Sequence, residues 1–429
     1  MKYFLKVVLV ITFTLVFNES RANTLFDSLN LAYLNNSKLN AERANMRASI
    51  EEKREAVSEF LPSVTISGYV SEQENTNPGD DTNFQPSEQS VTVEQKIFQG
   101  FGGVANLKKK MYGQDLAELK VKKIEQETLL AAAKAHADLL LNKKKVSINL
   151  TNIDLLERQV ETDQNRLEKG EINLADLAQS EPSFAGAKAE LIAAENSLVT
   201  SKANFEKIIG QKPPENIQEI KEINLSLPGS LAGAYRISNS ENPDLQISML
   251  EYEQSKMDVV IAGSDLSPSA TLSYKIAEQD NFSSTVKDRT QQTVTATASW
   301  PLFAGGSNLF NLRKNQELRN QKELLLQDSK KTIETDVATA WSSYQSSKSL
   351  LESIRTQVKA AEIANEGITL EYESGGNRTT LEVIQSKAFL LNSRINLVTS
   401  ERDFLISKFT LLSSIGRLTA KQLNLEALK

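Results

Sequence analysis

The chain of 429 residues has no cysteine and one histidine, His136. Without cysteine there can be no disulfide, no thiolate nucleophile and no lipid anchor on an N-terminal cysteine. A lone histidine leaves no multi-histidine metal site and no histidine triad. His136 also falls at the position equivalent to Trp341 in the repeat described below, which suits packing. Long apolar runs are missing as well. Past residue 22 nothing approaches the ~18 apolar residues of a transmembrane helix, so a membrane could be entered only as a β-barrel. Phe101-Gly-Gly103 is not followed by Gly-Lys-Ser/Thr and is no phosphate loop. The sequence shows no catalytic constellation and predicts no enzyme, no cofactor and no metal.

Residues 1–22 read as a secretory signal peptide. Lys2 and Lys6 precede or flank an apolar core from Val7 to Phe17, and Ser20-Arg-Ala22 is a small-x-small cleavage site. Removing Lys2, Lys6, Arg21 and Glu19 from 49 basic and 55 acidic residues leaves 46 and 54, a net charge of −8. That balance does not suggest nucleic acid as a partner. The Lys108–Lys110 and Lys143–Lys145 runs are read as solvated helix faces; the first lies just past a strand–helix junction, near anionic head groups if a membrane is there.

Proline and glycine are scarce over two long stretches. From Val104 to about Lys169 there is no proline and only Gly113; from Asn308 to about Tyr372 there is no proline and only Gly367. A helix of roughly 65 residues reaches about 100 Å, which implies coiled-coil packing. Ala131 to Ala133, Ala135, Ala137, Ala338 and Ala340 allow close helix approach. Residues 23–59 are helical in pattern, Pro62 stops them, and strands are expected at about 63–72 and 89–98 around a polar turn. Asn173 to Ile209 is again helical, with Pro182 expected to kink or open it.

The plan then repeats. Residues 211–230 are a linker with three prolines, residues 231–262 are helical, and strands are expected at about 268–278 and 292–301. Thr380 to Ile415 is the returning helix, and 417–429 a tail. Pro62 and Pro268, Phe98 and Phe303, Gly170 and Gly376, and Gly210 and Gly416 are 205 or 206 positions apart. A constant offset over a half-length indicates tandem duplication, with units at 23–210 and 231–416.

Four strands of about ten residues match tilted transmembrane β-strands. Trp300, Phe303, Phe98, Phe101 and Tyr69 lie near strand ends, where aromatic girdles sit. Four strands cannot close a barrel alone, because open edges in lipid leave backbone groups unpaired. Copies must pool strands: two give eight and three give twelve, and only the larger number leaves a water-filled lumen. The other reading of the strands is a small soluble sheet capping a coiled coil.

The residues resemble the TolC-type outer-membrane efflux family. The likeness rests on the duplicated plan, on LPSVTISGY and LSPSATLSY entering the first strand of each half, and on IFQGFGG and WPLFAGG leaving the second. It also rests on KGEINLADLAQSE and GGNRTTLEVIQSK at the helical turns. The resemblance implies a mainly α fold with a transmembrane β part, in which three chains build a twelve-stranded outer-membrane barrel over an α-helical periplasmic tunnel. It implies partners: two further copies of the chain, outer-membrane lipid, a periplasmic adaptor, and an inner-membrane pump or secretion ATPase. Small-molecule efflux and type I protein secretion both remain open. The runner-up of another class is a soluble periplasmic coiled-coil scaffold or adaptor.

The resemblance also implies a periplasmic gate. Gly375, Gly376 and Arg378 look like the family's tip turn, with Gly170 at the other hairpin. Arg378 resembles the linking arginine and Asp176 its acidic partner. Glu382 resembles the first carboxylate of the constricting ring, whereas Gln385 stands uncharged at the second ring position. Asp176 and Glu382 also suit a plainer role, since acidic residues in a first helical turn favour the helix dipole. At the opposite end, Phe98, Gly100, Trp300, Pro301, Phe303, Gly305 and Gly306 mark the strand–helix junctions, where a lipid-facing strand becomes a periplasmic helix.

Overall fold

The computed structural model describes residues 24–77, 80–220, 223, 225–283, 286–374 and 378–425. The expected signal peptide lies outside them. Helices α1 (Leu25–Asn35) and α2 (Ser37–Ser58) lead to β1 (Ser63–Val70), β2 (Gln73–Asn77), β3 (Asp80–Phe84) and β4 (Ser87–Gln99). Two long helices follow, α3 (Gly102–Glu168) and α4 (Leu174–Ile209). The second half runs α5 (Leu231–Glu241), α6 (Pro243–Ser264), β5 (Ser269–Asp280), β6 (Asp288–Ser299), α7 (Ser307–Glu373) and α8 (Thr380–Ser414). Corresponding helices agree in length: 11 and 11 residues, 22 and 22, 67 and 67, 36 and 35. At about 1.5 Å per residue, α3 and α7 each extend roughly 100 Å.

Residues 23–59 do not form one helix. The chain breaks at Asn36, which leaves the helical region (φ −64°, ψ 120°) and caps α2 by accepting from Leu39 N–H. Asn242 does the same between α5 and α6 (φ −68°, ψ 122°), with Pro243 starting the next helix. An asparagine side chain competes for nearby backbone donors, so it ends one helix and starts another. Pro182 lies within α4, which remains a single element through it. The polar segment after β1 holds a further two-stranded ladder, β2 with β3, which lengthens the hairpin.

The core sits near the middle of the long helices. Leu129, Ala132, Ala133 and Ala137 of α3 and Ile333, Val337 and Ala340 of α7 meet Leu29, Phe205, Leu245 and Phe409. Segment 211–230 is more than a tether, because Ile217, Ile220, Ile223, Leu225 and Leu227 pack on this core. Leu418, Ala420, Leu423 and Leu425 of the tail are buried in it. His136 is fully buried here. Its Nδ1 meets Ser28 Oγ at 2.7 Å, and burial lowers its pKa to about 4 against a small opposing pull from Asp27.

The large sheet has the order β1-β4-β5-β6, antiparallel throughout. Residues paired across it share a face. One face carries the rows Val64–Val93–Tyr274–Val294 and Ile66–Val91–Ile276–Gln292. The other carries Thr65–Thr92–Lys275–Thr293 and Tyr69–Glu88–Gln279–Arg289. On the polar face Glu88 accepts from Lys275 Nζ at 2.5 Å and Gln279 Nε2 at 2.7 Å. The apolar face lies open: Ile66 is 80% exposed. No helix among the described residues is long and apolar enough to cross a membrane.

Candidate functional site: the helical tips and the strand–helix junctions

The two hairpin tips are about 100 Å from the sheet along the helices. At the first, α3 ends in Lys169 and Gly170, whose φ of +73° a glycine adopts without strain. Asn173 then caps α4. Its side chain accepts from Asp176 N–H, and Asp176 accepts from Asn173 N–H at 3.1 Å. At the second tip, Thr379 and Glu382 form the same reciprocal pair. Gly375 and Gly376 lie outside the described residues. Backbone donation from Thr379, with help from Arg378, lowers the pKa of the Glu382 carboxyl.

Arg378 donates to Glu371 at 2.6 Å and to Glu382 at 3.1 Å. Glu371 chiefly raises the already high pKa of its guanidinium. Arg378 and Glu382 are therefore brought together within the second hairpin, while the hydrogen bonds of Asp176 stay within its own cap. Gln385 is exposed on the next turn of α8.

A different set of side chains joins the hairpins. Asp163 of α3 is fully buried, and its Oδ1 accepts from Tyr372 Oη of α7 at 2.8 Å and from Gln159 Nε2 at 2.9 Å. Tyr372 Oη also lies 3.0 Å from Thr380 Oγ1 of α8. Lys387 of α8 reaches back to Gln159 Oε1 at 2.9 Å. Arg166 covers the Tyr372 ring, its Cζ 4.5 Å from the centroid. Burial, aided by Asp163 and opposed by Thr380, raises the pKa of the Tyr372 hydroxyl, so it stays a donor at neutral pH. Burial lowers the pKa of Lys387, and Asp163 and Glu373 oppose the shift. Asp163 Oδ2 is buried without a hydrogen-bond partner among the described residues. Such a network is costly to leave half-made.

Sequence reasoning missed this cluster, although it left a trace. Asn149, Asn152, Leu156, Gln159 and Asp163 are all buried on α3. Their spacing of three and four is that of a coiled-coil seam, occupied here mostly by polar residues.

The two strand–helix junctions differ in their surroundings. At the first, Phe98 stacks edge-on against Phe101, with centroids 5.6 Å apart. Gly100 (φ +56°) is pressed against the α6–β5 corner, where an added Cβ would lie 2.5 Å from Ser267 Cβ. At the second, Trp300 Nε1 donates to Leu266 O at 3.1 Å. Gly305 and Gly306 have φ of +62° and +83°. Nothing lies within 4 Å of a Cβ built at Gly305. Pro301 and Leu302 are exposed, and Phe303 is 87% exposed.

Comparison with known proteins bears on this geometry. The sequence is 26% identical to the outer membrane efflux protein BepC of Brucella suis biovar 1 (strain 1330), over 94% of this chain and 88% of the relative. It is 22% identical to the outer membrane protein TolC of Vibrio cholerae, over 93% and 92%. The fold matches the crystal structure of the Campylobacter jejuni CmeC outer membrane channel with a TM-score of 0.84 at 12% identity, covering 94% of this chain and 89% of that one. It matches the outer-membrane channel OprN with a TM-score of 0.81 at 17% identity, covering 91% and 89%. A family model described as outer membrane efflux protein matches twice, over residues 28–211 and 234–417. Those two matches span both hairpins and all four strands of the two-faced sheet, so the chain belongs to the outer membrane efflux protein family and is an efflux channel of the outer membrane.

Proposed function

We propose that three copies of this chain form one exit duct, each unit built from repeats at 23–210 and 231–416. The two-faced sheet carries this reading. An apolar face suits lipid and a polar face suits a lumen, while the edges β1 and β6 need partners that only further copies supply. Twelve pooled strands leave a water-filled bore. The charged helices continue the bore through the periplasm and end at the tips, where a periplasmic adaptor and an inner-membrane pump or secretion ATPase would engage.

The tips act as the gate in this reading. Asp163, Tyr372 and Thr380 hold the second hairpin against the first, and Arg378 with Glu371 and Glu382 leaves one net negative charge per chain at the mouth. Three copies of Glu382 around one axis would favour cations, more weakly than a double carboxylate ring because Gln385 is neutral. Purified full-length protein in planar bilayers tests the duct. Discrete low-conductance, cation-preferring steps are expected; a protein that partitions to the soluble periplasm and forms no steps would contradict it.

A further inference from the structure

The matching halves carry information about a contact that one chain cannot show. Within the chain, β1 pairs with β4 in the same register as β5 pairs with β6. Ser63 stands opposite Glu94 and Ser269 opposite Ser299, with the halves offset by 206 and 205 positions. The remaining in-chain pairing, β4 with β5, joins the end of one half to the start of the next. Its counterpart would join β6 of one copy to β1 of the following copy. This step rests on the trimeric barrel proposed above.

We propose that the β4–β5 register is repeated between copies, and that on assembly β6 extends past Ser299 along β1 of the next copy. Val91 opposite Ile276 becomes Ala296 opposite Val70 of the next copy. Glu94 opposite Ser273 becomes Ser299 opposite Ser67 of the next copy, and Gln95 opposite Leu272 becomes Trp300 opposite Ile66 of the next copy. The irregularity between Lys96 and Phe98 becomes one between Pro301 and Phe303, which brings Phe303 opposite Val64 of the next copy.

Three independent features agree with that register. First, the faces match. Ala296, Ala298 and Trp300 meet Val70, Gly68 and Ile66 on the apolar face, while Thr297 and Ser299 meet Tyr69 and Ser67 on the polar one. A slip of one residue would reverse every side chain.

Second, Pro301 fits. Ser71 N–H donates to Pro86 O at 2.9 Å, which sets the ladder's alternation: odd-numbered residues of β1 bond towards β4. Even-numbered residues of β4 then bond towards β1, so Lys96 N–H points away from β5. Pro301, the counterpart of Lys96, would need no N–H towards its neighbour. Proline at this point is therefore compatible with a continuing ladder.

Third, the charges are complementary. The same transfer takes the Lys123–Asp244 pair to Asp328 with Lys38 of the next copy, signs exchanged and still opposite; Lys38 also meets Glu127 of its own chain. It takes Lys109–Asp258 to Lys314 with Glu52 of the next copy, a carboxylate that also meets Lys110 of its own chain.

Cysteine pairing in this cysteine-free chain tests the register. Ser299 and Ser67 would form a pair without mutual backbone hydrogen bonds, with Cα atoms about 4.5 Å apart. That distance suits a disulfide, whereas a position two residues away lies at about 7–8 Å and does not. Full-length Ser67→Cys/Ser299→Cys and Ser67→Cys/Thr297→Cys would be oxidised in outer membranes and run on a non-reducing denaturing gel. At least tenfold more reducible dimer and trimer is expected from the first variant. Cross-linking at the second position instead overturns the register. A native-sized trimer that cross-links at neither position overturns it too and leaves the duct reading standing. If the unmodified chain forms no trimer, both readings fail.

Discussion

Helices α3 and α7 have the same length, similar sequence character and matching places in the two halves, yet their environments differ. Helix α3 packs against α1, α2, α4, α6 and α8, and eighteen of its residues are buried. Helix α7 packs against α5, α6 and α8, and only seven are buried. Leu318, Leu324, Leu325, Leu350, Ile363 and Leu370 of α7 are left exposed. The difference comes from position rather than composition. The chain's own second half covers α3 through α6 and α8, whereas no element among the described residues covers the exposed leucines of α7. In the proposed trimer, this open side of α7 is where the next copy would pack.

The largest expected effect sets Gly100 against its counterpart Gly305. Gly100→Val would place a branched side chain at φ +56° against Ser267 and Ser264, costing about 3 kcal/mol or more. Gly305→Val in a dissociated chain meets open space and costs only the backbone strain, about 1–2 kcal/mol. Denaturation midpoints of the two variants as separated chains should therefore differ widely, and equal losses would break the comparison.

His136 and Trp341 give a second contrast at equivalent positions. The folded pKa of His136, about 4, lies below its unfolded value of 6.5, so the unfolded chain binds the proton more readily between these limits. Stability is fully present above pH 6.5 and falls by about 3 kcal/mol as pH drops towards 4. His136→Phe should flatten that part of the acid-denaturation profile, while Trp341→Phe should leave its slope unchanged.

At the tips, Tyr372→Phe removes both hydroxyl contacts and leaves Asp163 with fewer donors, at a cost of about 2 kcal/mol to the closed arrangement. Single-channel conductance in planar bilayers should rise several-fold. Asp176→Ala with Arg378→Ser should raise it less, because their bonds close caps or lie within one hairpin. Equal effects would place the constriction at the exposed rim instead of the buried cluster. The smallest effect is expected from Asp328→Lys, which should weaken assembly by less than about 1 kcal/mol, as read from trimer dissociation in denaturant.

Much of this was legible in the sequence for physical reasons. Scarce proline and glycine marked α3 and α7, alternation marked the strands, and the constant offset marked the two halves. The break at Asn36 escaped because asparagine sits acceptably in a polar helical pattern, and only its backbone angles show that it caps instead. Segment 211–230 reads as a linker because Pro213, Pro214, Pro228 and Gly229 punctuate it, although its isoleucines and leucines lie on the core. The Asp163 cluster escaped because aspartate and glutamine on a long charged helix read as solvent-facing. The sequence pairs Arg378 with Asp176, but within this chain Arg378 meets Glu371 and Glu382 of its own hairpin, and the hydrogen bonds of Asp176 close its own cap. What joins the hairpins near the tips is the buried cluster of Asp163, Tyr372 and Thr380, with Lys387 reaching Gln159.

The central claim is that a single chain is one third of a closed duct. Native mass spectrometry of the protein extracted intact from outer membranes tests it most directly. The account predicts one species with the mass of three mature chains. A stable monomer or dimer would show that the open side of α7 and the free strand edges are not completed by two further copies.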